Sequence, residues 1–237
     1  MTRTDVIQSI IDRKNARHYL EIGVADGSNF HPIRVRHKTA VDPCFRFNMR
    51  NRIKWMLKNR CNARARYHEL PSDDYFENTS REPGKFDVVF IDGLHTYQQS
   101  LRDVIHALDR LADSGVIVMH DCNPSHAAEA WPAESFDDAL RQNPPGWNGE
   151  WCGDVWKTIC NLRSLRSDLD VFVLNCDRGL GIVTRGRPES RLDLTEEEIG
   201  KLNYDDLAAD RSDLLNLKDE DLFAGFLSQL QRNDARE

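Results

Sequence analysis

Two short stretches of this 237-residue chain gather side chains able to do chemistry. Phe90-Ile91-Asp92-Gly93-Leu94-His95 closes one apolar run, and Met119-His120-Asp121 closes another. Carboxylate oxygens with imidazole nitrogens form a donor set that suits a divalent cation, Mg²⁺ or Mn²⁺. Either imidazole, His95 or His120, can also take a proton from a hydroxyl near neutral pH. A third stretch, His18-Tyr-Leu-Glu21-Ile-Gly23-Val-Ala-Asp-Gly27, reads as a bend in which glycines permit unusual dihedrals and let the backbone lie against a ligand. Glu21 could hold the amino group of such a ligand through hydrogen bonds. Asp42 stands 21 residues after Glu21, where Rossmann-like folds place a carboxylate that accepts ribose hydroxyls.

The elements that must position these residues follow from the apolar pattern. Short apolar runs at 18–22, 38–41, 64–69, 86–91 and 115–120 read as strands, separated by longer amphipathic stretches. Tyr97, Leu101, Val104, Ile105, Leu108 and Leu111 fall at helical spacing. A helix over 154–165 precedes two further strands at 171–174 and 180–184, joined at Asp177-Arg178-Gly179 as an antiparallel hairpin. The sum is an α/β fold: a Rossmann-like, doubly wound, seven-stranded and mostly parallel sheet with a C-terminal antiparallel hairpin and a helical tail. The division expected is a Rossmann-like domain over 1–186 and an acidic helical extension over 187–237, which shows no strand pattern. In an open sheet of this kind the carboxyl ends of the strands face the ligand crevice, so Asp92, His95, His120 and Asp121 converge there.

With its acid-x-Gly-x-x-x-Gly turn and its Val41-Asp42 pair, the chain resembles the class I S-adenosylmethionine-dependent methyltransferases over roughly residues 16–185. The resemblance implies an enzyme with S-adenosyl-L-methionine as cofactor. It places Gly23 and Gly27 under the methionine part, Asp42 on the ribose, and the Ser72-Asp73-Asp74 loop near adenine, with Glu21 and Asp92 completing the cofactor site. Asp92-x-x-His95 and His120-Asp121 are similar to motifs of metal-dependent O-methyltransferases that act on sugars of natural products. That likeness implies metal ligation by Asp92 and Asp121, with His95 as the base. His120 stands where those enzymes have a carboxylate, so it is either a ligand that shifts preference toward Mn²⁺, Fe²⁺ or Zn²⁺, or itself the base with no metal at all. The implied reaction is methyl transfer to a hydroxyl of a small, glycosylated or otherwise polar acceptor. Counted from Gly23, a dinucleotide fingerprint would need glycine where Ala25 and Ser28 stand, which disfavours the NAD(P)-binding oxidoreductase alternative. A cofactor-binding module without catalysis is a further alternative.

Four of the five tryptophans, Trp131, Trp147, Trp151 and Trp156, lie in or beside the Pro- and Gly-rich stretch after the fifth strand. That stretch reads as a cover over the acceptor, with Trp131 and Trp151 offering flat faces to it. Charge is unevenly placed: residues 189–237 hold 14 acids and 6 bases, net −8, which leaves +1 for everything before them, whereas residues 31–68 hold eleven Lys or Arg against Asp42 alone. Arg46, Arg50, Lys54 and Lys58, four apart, predict a basic stripe on one helix face. An RNA or N-directed methyltransferase using that helix is the runner-up reading, though the net negative charge argues against nucleic acid. Leucines in the acidic tail offer a surface for homo-oligomer formation. No apolar run approaches the ~18 residues of a membrane span, and the first 14 residues lack a signal-peptide core. Six cysteines without a Cys-x-x-Cys fit reduced thiols in a cytoplasmic protein.

Overall fold

A computed structural model describes residues 1–79 and 85–230; residues 80–84 and 231–237, which fall within the two expected domains, lie outside the described residues. The chain divides into two compact units: Met1–Gly93 with Arg102–Val118 and Ala224–Glu237 form the first, and Leu94–Leu101 with Met119–Phe223 form the second.

The first unit begins with a helix that the sequence reading did not anticipate, α1 (Arg3–Lys14). Thr2 and Asp5 close a capping box at its start, and Val6, Ile7, Ile10 and Ile11 form its buried stripe. The strands are β1 (His18–Ile22), β2 (His37–Asp42), β3 (Arg66–Glu69), β4 (Phe86–Ile91) and β5 (Leu111–Met119). Their order is β3-β2-β1-β4-β5. β1 runs parallel to both β2 and β4, and β2 runs parallel to β3. β1, β2 and β4 bury nearly every residue, as expected where both faces of a parallel sheet are covered. β3 buries none, so it reads weakly in the sequence. Between strands lie α2 (Met49–Lys58), α3 (Ser72–Thr79) and α4 (Tyr97–Arg110). Arg46 falls before α2, and its N–H donates to the Ala25 carbonyl, so the basic stripe on the helix itself has three members rather than four.

In the second unit, α5 (Phe136–Gln142) and α6 (Trp156–Leu165) precede β6 (Leu169–Leu174) and β7 (Leu180–Arg185). These two strands pair antiparallel from Leu169↔Arg185 to Leu174↔Leu180, the hairpin that the turn residues predict. Three successive left-handed residues, Asp177, Arg178 and Gly179, make the turn. The tail forms α7 (Glu196–Lys201), α8 (Tyr204–Ala209) and α9 (Arg211–Leu215), with Thr195 and Glu198 closing the capping box expected from its threonine and glutamates. It also forms a strand, β8 (Leu217–Lys218), parallel to β6 at Val173↔Leu217. The described residues therefore contain eight strands, not seven, and the tail is not purely helical. A two-residue strand carries no alternation, which is why the pattern missed it. The last helix, α10, spans Phe223–Gln229.

Candidate active site

The glycine turn in the first unit is held from both sides. Gly23 has φ +80°, and a Cβ there would stand 1.9 Å from the carbonyl oxygen of Asp92, so no other residue fits without moving the end of β4. Gly27, at φ +76°, lets the His31 ring pack against the turn. Asp42, buried at the end of β2, accepts the N–H groups of Val24 at 2.8 Å and Ala25 at 2.9 Å on Oδ2, and that of Cys44 at 2.7 Å on Oδ1. It thus organises the turn whatever else it binds.

Glu21 is buried and accepts hydrogen bonds from the Tyr19 hydroxyl at 2.5 Å and the Asn29 amide at 2.9 Å. Burial outweighs these bonds and raises its pKa to about 8. Ser72 and Asp73 lie in the first turn of α3 rather than in a loop. The Ser72 hydroxyl donates to Asp103 at 2.6 Å, and Asp73 stands 3.5 Å from Arg102. Asp92 accepts from the Arg3 guanidinium at 2.8 Å, a partner supplied by the unanticipated α1.

The second unit brings His95, His120 and Asp121 together. His95 Nδ1 stands 2.7 Å from the Trp151 carbonyl oxygen and 3.2 Å from Asp121 Oδ2. Two acceptors at Nδ1 place the ring proton there, which puts the lone pair of the neutral imidazole on Nε2. His120 Nδ1 is 3.1 Å from Asp121 Oδ1, and its Nε2 is 3.4 Å from Asp177. The Cys152 thiol also donates to Asp121 Oδ1, at 3.3 Å. Burial and the adjacent carboxylate push that thiol well above its ordinary pKa, so it serves as a donor and not as a nucleophile. Asp121 itself has φ +59°, a left-handed conformation that is uncommon outside glycine and clusters at functional sites.

The segment 151–154 shapes this cluster. Trp151 is buried, its ring stacked on His95 with centroids 5.4 Å apart, and its indole N–H donates to the Trp131 carbonyl. Trp131 is half-buried, its own indole donating to Gln142. A Cβ on Gly153 would fall 1.8 Å from the His95 carbonyl oxygen, and Asp154 accepts the Tyr97 N–H at 2.6 Å. Cys152, Gly153, Asp154 and Asp177 escaped the sequence reading because their partners are distant in the chain; the one local signal was the row Trp151-Cys-Gly-Asp154.

Beside Asp177 the second unit holds a cavity of about 560 Å³, lined among others by Asn123, Ser125, Glu129, Asp177, Arg178 and Arg211. No aromatic or branched aliphatic side chain lines it. Burial pushes the Glu129 pKa up, but the N–H and hydroxyl of Ser125 outweigh it and hold the carboxylate below its ordinary range. The donors available to a cation are the carboxylate of Asp121 and the imidazoles of His95 and His120, with Asp92 three residues before His95 in the chain.

Residues 20–122 match a family model described as a methyltransferase domain. That match agrees with the methyltransferase resemblance drawn from the glycine turn and Val41-Asp42. Among solved structures, a Staphylococcus aureus protein assigned as a caffeoyl-CoA O-methyltransferase is 19% identical, with 77% of this chain and 82% of that one covered at a TM-score of 0.53. The O-methyltransferase TomG from Streptomyces achromogenes, involved in tomaymycin synthesis and solved with S-adenosylmethionine, is 15% identical, covering 76% and 78% at 0.51. A methyltransferase of Podospora anserina, solved with S-adenosylhomocysteine, is 16% identical, covering 78% and 80% at 0.51. Likeness at these identities shows the fold, a Rossmann-like α/β arrangement. No curated protein sequence matches the chain. Among the described residues, no helix is long and apolar enough to cross a membrane.

Proposed function

We propose that this chain transfers the methyl group of S-adenosyl-L-methionine to a hydroxyl of a small polar acceptor, glycosylated metabolites being the first candidates. The observation that carries this reading is the His95 imidazole, oriented through Nδ1 by Asp121 and Trp151, in a chain whose residues 20–122 match a methyltransferase domain. When bound, the cofactor supplies an electrophilic methyl on a sulfonium. Gly23 and Gly27 would cradle its methionine part, Glu21 would receive its ammonium, Asp42 its ribose, and Ser72, Asp73 and Asp92 would complete the site.

His95 Nε2 then takes the hydroxyl proton of the acceptor, and Asp121 stabilises the imidazolium that forms. His120 takes this role only if His95 proves dispensable. The mostly polar lining around Glu129 and Asp177 favours a hydroxyl-rich acceptor over an aromatic one; Trp131 would offer its flat face to that acceptor. The donor types present fit a hard divalent cation: Asp92 and Asp121, with His120 as third ligand, would hold Mg²⁺ or Mn²⁺, which lowers the pKa of a hydroxyl bound to it.

Calorimetric titration with S-adenosylhomocysteine tests the cofactor half. Transfer of labelled methyl from S-adenosylmethionine to a panel of sugars, glycosides and catechols, after EDTA and again with Mg²⁺ or Mn²⁺, tests the rest. Binding followed by label on a polyol or glycoside supports the proposal. Absence of S-adenosylhomocysteine binding overturns it, and label on catechols alone overturns the acceptor class.

A further inference from the structure

The methyl transfer proposed above makes no use of the basic stripe. In the structure α2 buries none of its ten residues. At 3.6 residues per turn, Met49, Ile53, Met56 and Leu57 share one face, and they are 61%, 51%, 40% and 82% exposed. Trp55 and Arg52 face elsewhere: Trp55 stacks on His31 with centroids 5.6 Å apart, and the Arg52 guanidinium lies 3.9 Å from the centre of the Tyr67 ring. Those contacts fix the rotation of the helix and leave the apolar face outward. Arg50, Lys54 and Lys58, four apart, form a ridge next to that face.

Four contiguous exposed apolar side chains beside a cationic ridge describe a surface built to be covered. The same chain carries its complement. Asp219, Glu220 and Asp221 are exposed, and they lead into Leu222, a large apolar side chain 58% exposed at the end of a 3₁₀ turn, Glu220–Leu222. The surrounding segments repeat the contrast, eleven bases against one acid over 31–68 and 14 acids against 6 bases over 189–237. A net charge of −7 works against an anionic lipid surface or nucleic acid as occupant, but not against an acidic segment presented on a second copy.

We infer that the outer face of α2 docks the Asp219–Leu222 turn of a second copy of this chain. Leu222 of that copy sits among Met49, Ile53, Met56 and Leu57, and its three acids face Arg50, Lys54 and Lys58.

Sedimentation equilibrium of the full chain over a range of concentration and salt tests this with two triple variants. One combines Arg50→Glu, Lys54→Glu and Lys58→Glu; the other combines Asp219→Lys, Glu220→Lys and Asp221→Lys. All six positions except Lys58, which leans over Trp55, can be altered without disturbing a ring contact of α2, so circular dichroism and melting confirm that each variant folds. Each alone should raise the dimer dissociation constant by about tenfold or more, and added salt should weaken the wild type. An equimolar mixture of the two variants should recover association, because reversed ridge meets reversed turn while the unaltered pair completes a second contact. Leu57→Ser, which changes no charge, should also weaken it. A wild type that stays monomeric throughout, or a mixture that fails to recover, overturns the inference. Binding of the monomer to phosphatidylserine vesicles, abolished by the α2 variant, would assign the face to a membrane instead.

Discussion

At the scale of single residues the candidate site is a matter of which carboxylates are already engaged. Asp92 Oδ2 holds Arg3 at 2.8 Å, so a cation bound to this carboxylate must compete with a guanidinium for its charge. Arg3→Ala should therefore tighten Mn²⁺ binding, by about tenfold if the lost pair is worth about 1.4 kcal/mol, as calorimetry on the full chain would read; unchanged affinity would remove Asp92 from the ligand set. His95→Ala should lower kcat by roughly 10² to 10⁴ while leaving S-adenosylhomocysteine affinity unchanged, and a parallel loss of both would make His95 a structural residue. Glu21 gives the pH dependence. Its folded pKa, raised by burial to about 8, means that its contribution to stability is complete below the ordinary carboxylate range and is lost as pH rises through about 8. Glu21→Gln should thus gain in melting temperature relative to the wild type across that window and level off above it. An ammonium ligand needs the ionised carboxylate, so S-adenosylhomocysteine affinity should rise up to tenfold per pH unit toward about 8 in the wild type and lose that slope in Glu21→Gln. The sequence alone singled out Asp92, His95, His120 and Asp121 because each lies just after the end of an apolar strand. Arg3, Cys152 and Asp177 stayed hidden because nothing local marks a partner tens of residues away.

Among elements, legibility followed burial. β1 and β4 read as strands through their apolar majority, broken only by His18, Glu21 and Asp87; β3 was expected at 64–69 although it buries no residue, whereas β8 with two residues offers no period to read. The hairpin of β6 and β7 was legible through its turn, since three left-handed residues in a row call for Asp, Gly and their like. α1 was missed although Thr2 and Asp5 spell a capping box, because its apolar stripe is short and interrupted by charge. The loop carrying Gly153 makes the clearest prediction at this scale. Gly153 has φ +58°, and any Cβ collides with the His95 carbonyl, so Gly153→Ala must push the His95 loop away from Asp121. The expected cost is about 1–3 kcal/mol in chemical denaturation, with kcat falling more steeply than cofactor affinity. A variant that loses stability but keeps kcat would mean that the His95–Asp121 pairing does not depend on that loop.

On the scale of the whole molecule, the proposed cofactor residues Glu21, Gly23, Gly27 and Asp42 belong to the first compact unit, and His95, His120, Asp121 and the polar cavity belong to the second. Ligands bound to separate units should stabilise them separately, since a ligand protects only those openings that release it. Hydrogen exchange followed by mass spectrometry can read this directly. S-adenosylhomocysteine at one hundred times its dissociation constant supplies about 2.7 kcal/mol, equivalent to exchange slowed about a hundredfold at amides exposed only by ligand-releasing openings. Those amides should lie in β1, the glycine turn and the end of β2, where the N–H groups of Val24, Ala25 and Cys44 already bond to Asp42. Residues 120–130, 150–154 and 175–179 should slow little with that ligand and more once an acceptor is added. Equal slowing of both sets by S-adenosylhomocysteine alone would show that the two units open as one cooperative body. Slowing confined to the second set would move the cofactor away from the glycine turn altogether.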